Sequence, residues 1–116
     1  IVETIMESST LLIANHHAWL DDWRRTKIEN LAMLFEGAII AREKVGLKMN
    51  VPNGALDEVL KKLPALRKPT ISTLSEGAGY AIETVLDETV ARKITPELKR
   101  AGAEGIIEYP LNKVIL

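Results

Sequence analysis

The sequence contains no cysteine. Disulfide scaffolds, thiolate zinc sites and thiol nucleophiles are therefore excluded, and the composition fits a reducing compartment. Aromatic residues make up only 4%, too few for the rings on which an RNA-binding split βαβ sheet stacks bases. A surplus of one charge is missing too. Fifteen basic and 16 acidic side chains leave a net charge of −1, which argues against a nucleic-acid partner. No apolar run approaches the roughly 18 residues of a membrane span, so no membrane partner is expected.

What is present is the composition of a folded protein. Of 116 residues, 47% are apolar and 27% charged, which excludes intrinsic disorder and suits one domain, or a small domain with an appendage. The chain opens on Ile1 directly into apolar sequence, and so reads as processed or as a piece of something longer.

Thr10-Leu11-Leu12-Ile13-Ala14 reads as a buried strand. His16–Leu20 reads as a connector. Asp21 and Asp22 then suit the start of a helix, because carboxylates accept from its free N–H groups. Ile28, Leu31, Ala32, Phe35, Ala38 and Ile39 recur at steps of three and four. They predict one long helix from Asp22 to Val45, ended by Gly46.

The remainder is compact. Leu47–Val51 predicts a strand, and Pro52-Asn53-Gly54 a break that caps a helix bearing Leu56, Val59, Leu60 and Leu63. Pro64 stops that helix. Thr70–Leu74 and Tyr80–Leu86 predict a hairpin around Ser75–Gly79, with Tyr80, Ile82, Thr84 and Leu86 sharing a face. A helix over Glu88–Ala101 carries Val90, Ile94 and Leu98 on one side, with Pro96 either kinking it or opening a fresh turn and Gly102 ending it. The last strand centres on Ile106-Ile107. Residues 46–116 thus read β-α-β-β-α-β, an α+β, ferredoxin-like order. Right-handed crossovers put both helices on one face of a four-stranded antiparallel sheet and leave the other face for solvent, ligand or another subunit.

Candidate chemistry is sparse. His16 and His17 with Asp21 and Asp22 have metal-ligand chemistry, but adjacent histidines share no face, so a polar connector with capping aspartates is the better reading. Ser8-Ser9-Thr10 lacks a triad motif. Trp19 and Trp23 suit a hydrophobic patch at the helix entry. Gly77-Ala78-Gly79 lacks a phosphate-binding order and reads as a turn.

Two stretches are more specific. Leu63-Pro64-Ala65-Leu66-Arg67-Lys68-Pro69-Thr70-Ile71-Ser72-Thr73-Leu74 resembles the "lPgl-x-x-PTi-x-pL" segment of long-form ATP phosphoribosyltransferase. Leu98–Ile115 is similar to that family's "LK-x-x-GA-x-x-IL-x-x-PI-x-K" ending, and Ser8–Asn15 resembles the strand after its phosphoribosyl-pyrophosphate loop. The resemblance implies that residues 1–45 are the last strand and helix of a catalytic half folded like a periplasmic binding protein. It implies that 46–116 are a ferredoxin-like domain binding histidine. The parent would be the first enzyme of histidine biosynthesis, a cytoplasmic, magnesium-dependent homo-oligomer, of hexameric type, acting on ATP and phosphoribosyl pyrophosphate. The Ser-Gly-x-Thr-Leu loop would lie upstream, so no catalytic residue and no resident cofactor or metal is expected on this chain, which alone should be inactive.

Carried over position by position, the histidine contacts fall on Asn50, Leu66, Thr70, Val85 and Gly105. Relatives have an aspartate where Asn50 stands. An amide accepts from an ammonium without supplying a countercharge. On the residues alone each position has an ordinary reading: core packing for Leu66 and Val85, strand propensity for Thr70, a bulge for Gly105. Two other roles stay open. One is a free-standing ferredoxin-like module that binds a small ligand in signalling. The other is an assembly domain whose effector site has decayed.

Overall fold

The computed structural model describes residues 11–64 and 68–116. A short helix, α1 (His16–Leu20), leads into the long α2 (Asp22–Ala41). Strand β1 (Lys44–Val51), helix α3 (Leu56–Lys62) and strand β2 (Thr70–Thr73) follow. A 3₁₀ turn at Ser75–Gly77 leads to β3 (Tyr80–Asp87), α4 (Glu88–Ala101) and β4 (Glu104–Pro110). The sheet is antiparallel throughout, in the order β2-β3-β1-β4. This is the α+β, ferredoxin-like arrangement read from the sequence.

The core lies between that sheet and the helices α3 and α4. Val45, Leu47, Met49 and Val51 of β1 and Ile82 and Leu86 of β3 are buried. They meet Val59 of α3 and Ala91, Ile94 and Leu98 of α4. Alternation along each strand sends the intervening side chains to the opposite, open face. The expected face of Tyr80, Ile82, Thr84 and Leu86 is the one turned to the helices, with Tyr80 and Thr84 half-buried and the other two buried. Pro96 neither kinks α4 into two nor restarts it: one helix runs through, and Gly102 ends it with φ +115°. Thr95 Oγ1 donates to Ala91 O, 2.6 Å away, one turn back.

Four expectations at the front and the first turn need correction. Thr10 lies outside the described residues, and Leu11–Ala14 do not form a strand: Leu11 and Ile13 are 77% and 85% exposed. A strand needs a neighbouring ladder, and none of the described strands reaches them. His16–Leu20 is helical rather than a plain connector, capped by the Asn15 side chain accepting from His17 N at 2.8 Å. The long helix stops at Ala41, not Val45, and Gly46 lies inside β1. Helical periodicity runs on through Val45, but Lys44 pairs with Asp87 and Glu88 N donates to Glu43 O at 2.9 Å. Sheet pairing overrides the local pattern there. Lastly, Asn53 does not cap α3, whose Ncap residue Ala55 makes no side-chain cap bond. The Asn53 amide donates to Gly77 O across the hairpin turn.

Candidate functional site

The open face of the sheet has rows set by strand register. Lys44 lies beside Asp87, and Gly46 lies between Val85 and Tyr109. Lys48 lies between Glu83 and Ile107, with Thr70 beyond Glu83. Asn50 lies between Ala81 and Glu104, with Ser72 beyond Ala81. Every residue in these rows points away from the helices, because partners directly opposite share a face.

Gly105 interrupts the regular ladder. Between Lys48↔Ile107 and Asn50↔Glu104, β4 spends three steps where β1 spends two. The extra residue makes a bulge, and Gly105 takes φ +55°, the left-handed conformation that such a bulge asks of its first residue. A side chain there would meet nothing within 4 Å, so the backbone is open to a ligand.

Of the five carried-over positions, Asn50, Thr70, Val85 and Gly105 sit on or at the edge of this face, and all four are exposed. Leu66 lies outside the described residues. Val85 is 42% exposed, so it is not the core residue that its chemistry alone suggests. Asn50 and Val85 are not neighbours. Their rows are four residues apart along the strands, about 13 Å at the usual rise.

Three residues of the face were not among the sequence candidates. Tyr109 donates its hydroxyl to Glu83 Oε1 at 2.7 Å, reaching across β1 from β4 to β3. It can do so because Gly46 lies beneath: a Cβ there would overlap the phenol ring. The Lys48 ammonium is 5.9 Å from the centre of that ring, a cation–π placement. The bond to Glu83 holds the Tyr109 hydroxyl above the ordinary tyrosine range, with partial burial and the carboxylate charge adding to it. Strand alternation in the sequence places Lys48 with Asn50 and Glu83 with Val85. Tyr109 was beyond reach, because its row depends on the bulge.

The other sequence candidates have local roles. Asp21 Oδ1 accepts from Arg24 N at 3.1 Å and so caps α2. The rings of His16 and His17 meet edge to face. Among the described residues no three His, Cys, Asp or Glu gather as a metal site. Ser8, Ser9 and Thr10 lie outside the described residues. Trp19 carries the Arg25 guanidinium 4.5 Å above its ring, and Trp23 the Lys27 ammonium at 5.6 Å. Gly77-Ala78-Gly79 closes the hairpin turn, where Leu74 N donates to Gly79 O at 2.8 Å.

The family model described as "HisG, C-terminal domain" matches residues 41–113. The chain is 58% identical over 115 residues to the ATP phosphoribosyltransferase of Chlorobaculum parvum, covering 99% of this chain and 39% of that protein. It is 59% identical to the enzyme of that name from Pelodictyon phaeoclathratiforme, and 50% identical to that from Thermodesulfovibrio yellowstonii, with the same coverage. No helix among the described residues is long and apolar enough to cross a membrane.

Proposed function

The chain belongs to the HisG C-terminal domain family, and on that premise we propose that it is the regulatory portion of an ATP phosphoribosyltransferase. The open sheet face takes up histidine as a feedback effector. The whole protein transfers a phosphoribosyl group from phosphoribosyl pyrophosphate to N1 of ATP, the first step of histidine biosynthesis. It works in the cytoplasm as a homo-oligomer. Magnesium serves the pyrophosphate substrate in the catalytic half. The described residues of this chain offer no donor set to hold it.

One observation carries the reading. The likeness to these transferases covers 99% of the chain, at 58% and 59% identity in two cases. The chain spans 39% of those relatives' length, so the rest of the activity resides in residues outside it. The chain up to the end of α2 forms the closing part of the catalytic half, and the regulatory domain begins with β1 at Lys44, two residues before the expected boundary. The apolar stripe on α2 supports this division. Phe35 and Ile39 are 52% and 65% exposed, a face that a further unit would cover.

The site has a stated chemistry. Asn50 and Glu83 accept from the effector's ammonium, Thr70 and the backbone at the Gly105 bulge bond its polar groups, and Val85 and Leu66 meet its apolar part. A free amino acid is shorter than the distance from Asn50 to Val85. A ligand that touches both therefore takes one from each of two chains, which supports a site shared between regulatory domains. Effector and substrates then occupy distinct sites coupled through the assembly.

Thermal and urea unfolding with histidine tests the effector claim. At 100 times its dissociation constant, histidine adds about 2.7 kcal/mol. No stabilisation at millimolar histidine contradicts the claim. A free-standing signalling module gains no support from the relatives matched.

A further inference from the structure

Beyond β4 the chain does not leave the molecule. It turns back and lies against α2. Val114 N donates to Gly37 O at 2.9 Å. The acceptor belongs to a residue in the body of the helix, so the bond is additional to the helix's own ladder. Gly37 is buried although Phe35, Glu36 and Ile39 beside it are exposed. A Cβ on Gly37 would lie 2.5 Å from Ile115 Cδ1 and 3.1 Å from Val114 O. The first neighbour is the tip of a flexible side chain and could give way. The second is backbone, so even a methyl group presses the segment back by a few tenths of an ångström, and a larger side chain displaces it further. The glycine is a notch, and residues 114 and 115 lie in it.

The same segment also faces the sheet domain. Val114 and Leu116 line a cleft of about 350 Å³ with Pro64, Leu86 of β3 and Val90 of α4. The cleft opens where β3 runs on past its last pairing with β2 at Glu83. The segment therefore bonds to α2 on one side and faces the sheet domain across that cleft on the other. It is continuous with Tyr109, whose hydroxyl holds Glu83 on the open face.

We propose that Leu111–Leu116 is a strap that fixes the direction of α2 relative to the sheet, seated in the Gly37 notch and anchored at its other end by Tyr109. Without it, α2 is tied to the sheet domain only near its end, through the buried Ala41 and through Glu43 O, which accepts from Glu88 N. Such anchoring at one end leaves the angle of a 20-residue helix to the strap. A ligand that moves Tyr109 on the open face then shifts the strap and, through it, α2. That last coupling rests on the effector reading, whereas the strap itself does not.

The absence of cysteine makes the test direct, since spin labels go only where cysteines are introduced. Asn30→Cys on α2 and Lys93→Cys on α4 report the angle of the helix through a label-to-label distance. The expected result is a narrow distribution in the otherwise unchanged chain. It broadens at least twofold with Gly37→Val, which fills the notch, and with Val114→Pro, which removes the donor. Amide exchange of Leu47 and Met49 in the core strand confirms that each variant is folded. Distributions unchanged in both folded variants overturn the strap. Histidine is then added, with binding followed separately by calorimetry. A shift in the parent distribution that both variants lose supports the coupling. Histidine binding with no shift overturns the coupling. No histidine binding at all overturns the effector reading, while the first comparison still decides the strap.

Discussion

Gly46 matters to the open face because of what it lacks. Tyr109 can reach Glu83 only across a position without a side chain. Gly46→Val should displace the ring, break the 2.7 Å bond and cost about 0.5–1.5 kcal/mol in urea unfolding, the usual net worth of one hydrogen bond, because what it displaces is the far end of a side chain on the open face. The Tyr109 hydroxyl gives a second readout. Its bond to Glu83 favours the neutral phenol and raises its titration. The stabilisation is thus fully present below the titration of an unfolded tyrosine, and is lost as pH rises through the higher, folded one. In a Tyr80→Phe background, absorbance near 295 nm follows Tyr109 alone. Glu83→Ala should bring its midpoint down towards the ordinary tyrosine range; an unmoved midpoint would mean that Glu83 is not the cause. At Asn50 the missing countercharge is the issue. Asn50→Asp should strengthen histidine binding by about 1 kcal/mol, several-fold in the dissociation constant measured by calorimetry.

The elements differ sharply in how far they were legible from residues alone. The two central strands and both packed helices carry period-two and period-3.6 patterns that agree with their burial, whereas β2, exposed throughout, and β4, which does not alternate, follow from the β-α-β-β-α-β order. Leu98, for instance, stands on the predicted side of α4 and is fully buried. The boundary near Val45 is not legible in the sequence because Ala41 and Val45 continue the helical spacing, and only the pairing of Lys44 with Asp87 shows that the strand has begun. The front segment departs from its pattern for a related reason: its residues favour a strand, but no described strand lies beside it. On the candidate site, alternation was enough to align Asn50 with Lys48 and Val85 with Glu83. The row of Tyr109 depends on the bulge at Gly105, and a bulge shifts register without changing composition. Packing predicts unequal costs between elements. Leu98→Ala should cost about 2–5 kcal/mol, because it opens a cavity between α4 and the sheet. Phe35→Lys on α2 should change stability by no more than about 0.5 kcal/mol, since that side chain is already 52% exposed in this chain. Equal losses in urea unfolding would mean that α2 packs as part of the core.

As a whole the molecule is extended. Its radius of gyration is 20.1 Å, against about 13 Å for a compact domain of this length. In α1 and α2 apolar residues are uncovered, Trp23 and Ile39 being 69% and 65% exposed. The core lies on one side of the sheet, the other face is open, and α2 exposes Phe35 and Ile39 alongside. The central claim is that the open face is an effector site for histidine. Titration of the ¹⁵N-labelled chain with histidine tests it residue by residue. The account predicts amide shifts grouped at Asn50, Thr70, Glu83, Val85 and Gly105, with α3 unmoved. No shifts at millimolar histidine, or shifts grouped away from the open face, would contradict it.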